Sequence, residues 1–214
     1  MPRTSWPTRS LFGIPIHALR MNEALAVVKD TIERREKLLI GVVNAAKMVN
    51  MHRDAELRES VLTADLVLAD GQAVVWACRL LGRPLPERVA GIDLMNRMID
   101  QAAECGHRVF CLGATPDVLD AAIDHFKARC PKVIIAGRQH GYFKPDEEEA
   151  LARAIRESQS DILFVAMTSP KKERFLARWF NEMNVAVCHG VGGSFDVVAG
   201  KVKRAPAFWQ RCGM

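Results

Sequence analysis

Short apolar runs alternate with amphipathic segments along most of the chain. Such runs, bounded by turn-forming residues, are typical of strands that are buried on both faces. They predict strands over residues 37–43, 66–69, 108–112, 132–136, 162–167 and 185–189, and a short extended stretch over residues 11–16. The segments between them place apolar residues at helical spacing, as at Leu25, Val28 and Ile32. The resulting helices are predicted over residues 21–35, 45–51, 54–62, 72–81, 91–104, 117–129, 146–158 and 171–181.

This alternation predicts an α/β fold of the Rossmann-like kind, with a mostly parallel sheet and helices on both faces. A chain of 214 residues, 49% of them hydrophobic, can bury one core of this size, so a single domain is expected. Residues 1–10 have no apolar period and are predicted to be a flexible segment, which leaves residues 11–214 for the domain. No run approaches the roughly 20 apolar residues that span a bilayer, and no signal peptide is recognisable, so a cytoplasmic protein is expected.

The ends of the predicted strands carry the residues of chemical interest. In a parallel sheet of this kind, ligands lie outside the carboxyl ends of the strands. The residues at or near those ends are Asn44, Asp70, Gly113, Thr168 and Gly192. Asp70 can serve there as a general base or can cap the helix that starts near Gln72, and both roles stay open.

Two glycine-containing turns, over residues 113–115 and 190–193, can admit the phosphates of a nucleotide close to the backbone. Neither turn has the dinucleotide-binding or P-loop pattern, and an ordinary tight turn explains each of them equally well. Tyr142, the one tyrosine of the chain, can stack on a base or lie half-buried on the surface. Asp196 can bind ribose hydroxyls or cap a helix.

The formal net charge of +5 suits a phosphorylated substrate, anionic lipid or nucleic acid. Because the basic residues are spread along the chain without an RNA-type aromatic motif, nucleic-acid binding is not expected. Five of them, which flank the last two loops and can neutralise a diphosphate, are Lys171, Lys172, Lys201, Lys203 and Arg204. The six cysteines form no CxxC pair, and no histidine has zinc-ligand spacing, so neither a metal site nor a disulfide framework is expected.

Six motifs occur in order at or beyond the predicted strand ends: VNAAKMV, LADGQAVVW, PERVAGIDLM, GYFKPDEE, SPKKERF and GVGGSFDVVAGKVKRAP. Together they resemble the WecG/TagA/CpsF family of bacterial glycosyltransferases, which includes N-acetylmannosaminyltransferases, over residues 11–214. The resemblance implies an inverting, metal-independent and cofactor-free transfer from a UDP-sugar to a polyprenyl-diphosphate-linked acceptor in surface-polysaccharide synthesis. The sugar would be N-acetylmannosamine or a related hexose or uronic acid. The enzyme would work at the inner face of the cell membrane, and a homo-oligomer is compatible with this role.

The resemblance also implies roles for single residues. Asp70 in LADGQ corresponds to the proposed base that deprotonates the acceptor hydroxyl. Asn44 would position the sugars, and Arg88 in ERVAG would stabilise the departing phosphate. Tyr142 and Asp196 would contact uracil and ribose. Together with the turns and charges above, the predicted nucleotide-sugar site comprises Gly113, Tyr142, Gly192, Gly193, Asp196 and Arg204.

The chain departs from the family pattern in three places. Val42 stands where the family often has threonine, two residues before Asn44. Lys172 replaces the glutamine of the usual PKQE motif, so the predicted catalytic set of Asn44, Asp70 and Arg88 gains a cation in place of an amide. Family members usually continue well beyond RAPxxW, and we therefore expect the chain to lack a basic C-terminal appendage that closes the site and binds the membrane.

Two other functions stay open from the residues alone. A nucleotide-binding oxidoreductase can use a similar sheet, although it ordinarily carries the dinucleotide fingerprint that is missing here. A non-catalytic protein that binds UDP-sugars would use the same loops without transferring a sugar.

Overall fold

The computed structural model describes residues 6–204. Its strands are β1 (Thr8–Leu11), β2 (Ile14–His17), β3 (Leu38–Val43), β4 (Leu66–Ala69), β5 (Arg108–Gly113), β6 (Ile134–Gln139), β7 (Ile162–Ala166) and β8 (Val187–Gly190). Its helices are α1 (Met21–Glu33), α2 (Ala45–Arg53), α3 (Ala55–Leu62), α4 (Gln72–Leu80), α5 (Gly91–Cys105), α6 (Pro116–Arg129), α7 (Glu148–Glu157), α8 (Lys171–Met183) and α9 (Ser194–Val198). A 3₁₀ turn, Pro145–Glu147, leads into α7.

The main sheet contains six strands, all parallel, in the order β4-β3-β8-β7-β5-β6. This confirms the predicted α/β, Rossmann-like single domain. Strands β1 and β2 form a separate antiparallel hairpin beside the edge strand β4. The backbone N–H of Val67 in β4 donates to Nδ1 of His17 at 3.0 Å. The hairpin therefore covers backbone groups that an edge strand would otherwise expose.

Alternate residues of each central strand face opposite layers of helices. In β7, Phe164 packs with apolar residues of α1, α5 and α6, whereas Leu163 and Val165 pack with α7 and α8. A third apolar cluster joins β4 to the hairpin and to α2, α3 and α4. Both faces of the sheet are therefore covered, which explains why its strands read as continuous apolar runs.

Three details differ from the sequence prediction. The flexible segment predicted over residues 1–10 is wrong for residues 8–10, which belong to the paired strand β1, while its residues 1–5 lie outside the described residues. Strand β6 lies later than the predicted 132–136, because this edge strand is only partly buried and an apolar run does not mark it. Helix α9 is missing from the prediction, because its five residues are too few to show a helical period. The expected lack of a C-terminal appendage also concerns the chain beyond the described residues.

At the end of β5, Gly113 lies against the backbone of Ala166 in β7. Its φ is +121°, and a Cβ at this position would be 2.3 Å from the Ala166 carbonyl oxygen. The same carbonyl accepts a hydrogen bond from the backbone N–H of Ala114 at 2.8 Å. Glycine is therefore required both by the backbone conformation and by the space, and it fixes how the carboxyl ends of β5 and β7 meet.

Replacement of Gly113 by alanine should lower the free energy of unfolding by about 3 kcal/mol or more, because the added Cβ must displace the backbone of β7. Urea denaturation followed by circular dichroism measures this loss. The matched control is Gly106→Ala, where φ is also positive at +73° but the Cβ meets no atom within 4 Å. That variant should lose only about 1–2 kcal/mol, and equal losses in the two variants would contradict the packing role of Gly113.

Candidate active site at the carboxyl edge of the sheet

The connections between strands change direction between the neighbouring strands β5 and β7. Strand β5 leads through α6 to β6 on one side, whereas β7 leads through α8 to β8 on the other. Connections that leave in opposite directions open a crevice at the carboxyl ends of the two strands. A cavity of about 280 Å³ lies in this crevice, between the loops that follow β5, β6, β7 and β8. Four of the predicted nucleotide-sugar residues line it, namely Tyr142, Gly192, Gly193 and Asp196.

The loop after β8 leaves its backbone open toward this cavity. Gly192 has a φ of +56°, and a Cβ added to it would meet no atom within 4 Å. A Cβ on Gly193 would find Oδ2 of Asp196 at 3.9 Å and no closer atom. A ligand can therefore approach the peptide groups of this loop closely, as phosphates commonly do at glycine-containing turns.

The loop that carries Tyr142 is held in place by α8 and by the loop after β5. The ammonium group of Lys171 donates to the carbonyl of Gly141 at 2.8 Å and lies 4.2 Å from the centre of the Phe143 ring. The Gly141 N–H donates to the carbonyl of Ala114 at 2.9 Å. The Tyr142 side chain itself is 71% exposed, so the half-buried alternative is wrong and the ring stands at the mouth of the cavity.

Gly113, the remaining glycine of the predicted nucleotide site, has the packing role against Ala166 described above. The cavity wall next to it is formed by Ala114 and Thr115. Ala114 has a φ of +57°, an uncommon conformation for a residue with a side chain. The close contact of Gly113 thus shapes the wall of the cavity, and direct contact between this glycine and a nucleotide stays a prediction.

Asp70 lies at the carboxyl end of β4, half-buried. Its backbone N–H donates to the carbonyl of Val43 at the end of β3, at 2.9 Å. Its Oδ1 accepts a hydrogen bond of 2.8 Å from the backbone N–H of Gly91, the first residue of α5. Helix α4 begins after Gly71 with no side-chain cap, so the alternative that Asp70 caps α4 is wrong. The carboxylate instead joins the end of β4 to the start of α5.

The carbonyl group of Gly91 is held by His189 of β8. The Nε2 atom of His189 lies 3.2 Å from the Gly91 carbonyl oxygen. Burial lowers the pKa of His189 to about 4, so the imidazole is neutral at physiological pH. Because a carbonyl oxygen can only accept, Nε2 carries the proton and donates it. The sequence prediction missed His189, because this residue lies within an apolar run that predicts only a buried strand.

Asn44 and Arg88 flank the same strand ends as Asp70. Asn44 caps α2, since its Oδ1 accepts from the backbone N–H of Lys47 at 2.9 Å, and its side chain is exposed. Asn44 also packs beside Gly71, where an added Cβ would lie 3.2 Å from the Asn44 Cβ. Arg88 is half-buried and precedes Val89, whose N–H donates to the carbonyl of Ala69 at 2.9 Å. Three of the predicted catalytic residues therefore surround the carboxyl ends of β3 and β4.

Arg204 lies at this end of the site and does not line the Gly192 cavity. Its two terminal nitrogens bind both carboxylate oxygens of Asp93 in α5, each at 2.6 Å. The hydrogen bonds to Asp93 raise the pKa of Arg204, and the nearby charge of Asp70 adds to this effect. Arg204 therefore brings a fixed positive charge close to Asp70.

Lys172 belongs to a buried ion cluster beside β3 and α8. Its ammonium group lies 2.8 Å from Oε1 of Glu173 and donates to Oγ of Ser169 at 2.9 Å. The ammonium of Lys47 reaches the same Glu173 oxygen at 3.0 Å and the carbonyl of Val42 at 2.8 Å. Only 6% of Lys172 is exposed. The substituted lysine therefore points into the protein, and contact between it and a sugar stays a prediction.

The charges within this cluster alter one another's titration. Burial, followed by the neighbouring charge of Lys47, lowers the pKa of Lys172. Burial alone would raise the pKa of Glu173, but the two ammonium groups outweigh it and lower that pKa to about 2. The carboxylate is therefore ionised throughout the physiological range and holds two cations in place.

Replacement of Glu173 by glutamine should destabilise the protein by about 3 kcal/mol at neutral pH, because two buried ammonium groups lose their counter-charge. The effect should also depend on pH. A carboxyl whose folded pKa of about 2 lies below its ordinary 4.5 contributes stability above pH 4.5, and loses that contribution as the pH falls toward 2. Urea denaturation across this range should give a flatter acid dependence for Glu173→Gln than for the wild type.

The matched control is Glu149→Gln on α7, whose side chain is 72% exposed. This variant should change the stability by less than about 0.5 kcal/mol and keep the acid dependence of the wild type. If Glu173→Gln kept that dependence too, the cluster would not be the source of the acid sensitivity.

Two further findings concern residues 6–204. No helix in this part of the chain has the length and apolar character needed to cross a membrane. No three histidine, cysteine, aspartate or glutamate side chains in it converge as metal ligands would.

The chain matches the glycosyl transferase WecG/TagA/CpsF family over residues 9–214, which is nearly its whole length. The matched region includes every strand of the main sheet and every loop that lines the cavity. The chain therefore belongs to the glycosyl transferase WecG/TagA/CpsF family and is a glycosyltransferase of polysaccharide biosynthesis.

Proposed function

We propose that this glycosyltransferase moves a sugar from a UDP-sugar to a polyprenyl-diphosphate-linked acceptor, with inversion and without a metal or cofactor. The donor sugar is N-acetylmannosamine or a related hexose or uronic acid. The observation that carries the proposal is the Asp70 carboxylate, which is held by the Gly91 N–H at the edge of the sheet where the open glycine loop also lies. Membership of a glycosyltransferase family argues against the oxidoreductase alternative.

The donor nucleotide occupies the cavity between β5 and β7. Gly192 and Gly193 admit the diphosphate to the backbone of their loop, and the Lys171 ammonium supplies positive charge at the cavity wall. The exposed ring of Tyr142 stacks on the uracil, while the Asp196 carboxylate accepts hydrogen bonds from the ribose hydroxyls. This arrangement directs the sugar from the loop after β8 toward β4.

The spacing of the strands suits this orientation. In the sheet, β4 and β8 are separated by β3 alone, which corresponds to about 10 Å between their ends. A diphosphate with its attached hexose can bridge such a gap. The anomeric carbon then lies near Asp70 while the uridine stays in the cavity, and Asn44 at the end of β3 contacts the sugar between them.

Asp70 acts as the general base. It removes the proton of the acceptor hydroxyl as that oxygen attacks the anomeric carbon, and the bond to UDP breaks on the opposite face of the sugar. The hydrogen bond from Gly91 engages Oδ1 and fixes the carboxylate plane, so that Oδ2 can accept the proton. Arg88 stabilises the negative charge that develops on the departing diphosphate.

Replacement of Asp70 by asparagine tests the base directly, because the amide oxygen can still accept from Gly91 while the basic oxygen is lost. The kcat should fall by about 10²–10⁴-fold with UDP affinity unchanged. Released UDP is measured with candidate UDP-sugars and a lipid-diphosphate-linked N-acetylglucosamine acceptor, and UDP affinity is measured by calorimetry. The control Asp124→Asn, an exposed aspartate of α6, should keep wild-type activity.

Each outcome of this experiment has a distinct meaning. An Asp70→Asn protein as active as the wild type would remove Asp70 from the role of base. Binding of UDP by the wild type without transfer from any donor would favour the non-catalytic UDP-sugar-binding protein.

Replacement of Tyr142 by alanine should weaken UDP binding by about tenfold, because the stacking of a base on an aromatic ring contributes about 1–3 kcal/mol. At saturating donor, kcat should stay within about twofold, since the ring makes no contact with the reacting atoms. The matched control is Phe12→Ala, a ring that is 62% exposed on the hairpin and outside the cavity. A Tyr142→Ala protein that binds UDP as tightly as the Phe12→Ala protein would place the uracil elsewhere.

A further inference from the structure

A second cavity lies at the opposite, amino-terminal edge of the main sheet. Its volume is about 480 Å³, against about 280 Å³ for the cavity beside Gly192. This amino-edge cavity is lined mainly by residues 35–37, 159–161 and 184–186, which lead into the neighbouring strands β3, β7 and β8. Strand β7, with five residues, separates the two cavities by about 16 Å. The amino-edge cavity is therefore distinct from the site proposed for glycosyl transfer.

The three loops around the amino-edge cavity share an uncommon backbone conformation. Each follows a helix with a residue of positive φ, namely Arg35 after α1 at +55°, Gln159 after α7 at +52° and Asn184 after α8 at +51°. Glycine adopts this conformation at lower cost and is the usual residue there. All three residues nevertheless line one cavity. Long polar side chains kept at costly positions around a single cavity indicate that a ligand uses them.

The carbonyl groups at the ends of α7 and α8 already have hydrogen-bond donors. The ammonium group of Lys37 donates to the carbonyl of Asn181 at 2.8 Å. The guanidinium group of Arg108 donates to the carbonyls of Gln159 at 3.1 Å and Ser158 at 3.0 Å. These side chains supply the partners that the last turn of a helix lacks. The acceptors beside the cavity are therefore satisfied by the protein itself.

Two guanidinium groups of the cavity wall, in contrast, are available. The guanidinium groups of Arg35 and Arg156 form no hydrogen bond or ion pair within residues 6–204, and both residues are exposed. The carboxylates that line the cavity are Glu36 and Asp161, and Asp161 already accepts a hydrogen bond of 2.7 Å from a backbone N–H. Together with Lys37, three cations and two carboxylates line the wall. The cavity thus has an excess of positive charge and of unused donors.

We propose that the amino-edge cavity binds a phosphorylated small molecule, whose phosphate group is held by Arg35 and Arg156. A guanidinium group presents parallel N–H donors that match two oxygens of a phosphate. The side-chain amides of Gln159 and Asn184 line the same cavity and bind hydroxyl groups of the ligand. The volume lies within the range of about 300–1,000 Å³ that small-molecule sites occupy. This site does not depend on the proposed glycosyl transfer.

A cationic ligand fits the amino-edge cavity less well. It would rely mainly on Glu36, because Asp161 and the carbonyls of Asn181 and Gln159 already accept hydrogen bonds. It would also lie beside two guanidinium groups that repel it. Glu36 therefore distinguishes the two ligand classes, since its negative charge weakens the binding of an anion and strengthens the binding of a cation.

Calorimetric titration of the 214-residue protein tests the proposal with glucose 6-phosphate, inorganic phosphate and glucose. Glucose 6-phosphate and inorganic phosphate should bind, and glucose should not. Tighter binding of glucose 6-phosphate than of inorganic phosphate would identify an organic phosphate as the ligand, whereas equal affinities would identify free phosphate. Hydrogen exchange followed by mass spectrometry should show protection on binding at residues 35–37, 159–161 and 184–186.

Charge variants examine the wall of the cavity. The double variant Arg35→Gln/Arg156→Gln should bind glucose 6-phosphate about tenfold more weakly or worse, because two charged donors are lost. Glu36→Gln should bind it about two- to fivefold more tightly, because a nearby negative charge is removed. The matched control Arg53→Gln/Arg79→Gln removes two exposed arginines from α2 and α4, outside the cavity, and should bind like the wild type.

Arg35→Gly separates binding from folding. Glycine accepts the positive φ without strain, so the melting temperature should not fall, whereas the affinity for glucose 6-phosphate should fall several-fold. Wild-type affinity in Arg35→Gly or in the Arg35→Gln/Arg156→Gln protein would overturn the proposal, as would a wild type that binds neither phosphate compound. Weaker binding by Glu36→Gln, or protection confined to the loops around Gly192, would contradict it as well.

Discussion

The backbone of Gly91 is the point on which the Asp70 end of the site depends. Its N–H binds the carboxylate of Asp70, and its carbonyl receives the Nε2 proton of the buried His189. Asp70 follows β4 and His189 belongs to β8, so one residue connects the start of α5 to strands on both sides of β3. A Cβ on Gly91 would meet Val42 at 3.4 Å, which leaves little space for a side chain. The position of Asp70 is therefore set by backbone and by a neutral imidazole, and salt screens neither as it would screen a surface ion pair.

The buried ion cluster performs a related task for the loops. Burying an ion pair costs solvation that its attraction seldom exceeds, so its value here lies more in position than in net stability. Glu173 receives Lys47 from the start of α2 and Ser169 from the loop after β7. One carboxylate thereby connects the loop that carries Asn44 with the loop that borders the cavity. The lysine at position 172 contributes a further donor to this internal connection.

Much of the fold could be predicted because every main-sheet strand except β6 is largely buried, and its apolar run stands out in the sequence. The ends of those strands located Asp70 and Gly192 correctly at the carboxyl edge. The contacts that organise the site could not be predicted, because they join residues far apart in the chain. His189 and Gly91 are separated by 98 positions, Lys47 and Glu173 by 126, and Arg204 and Asp93 by 111. Such pairs depend on β7 and β8 entering the sheet between β5 and β3, and alternation of strands and helices does not determine that order.

The same dependence on contacts between distant residues explains why the sequence left two roles open for Asp70. Local sequence offers α4 as the helix that a strand-end aspartate would cap, since α4 follows within two residues. The structure gives its hydrogen bond to α5 instead, 21 residues further along. The choice is decided by the loop before α5, which returns to the end of β4 through the hydrogen bond from Val89 to Ala69. A carboxylate that caps the adjacent helix would face the side of the sheet, whereas one that meets α5 stays at its carboxyl edge.

Strand β8 connects the two parts of the site. It carries His189, which positions the backbone of Gly91 and through it Asp70, and it leads directly into the Gly192 loop beside the cavity. A central strand with neighbours on both sides is among the least deformable parts of a domain. The Gly192 loop and Asp70 are therefore both positioned by one rigid element, although they follow different strands and are far apart in the sequence. In-line displacement tolerates little error in the alignment of nucleophile, anomeric carbon and leaving group. A shared strand limits that error in the proposed reaction.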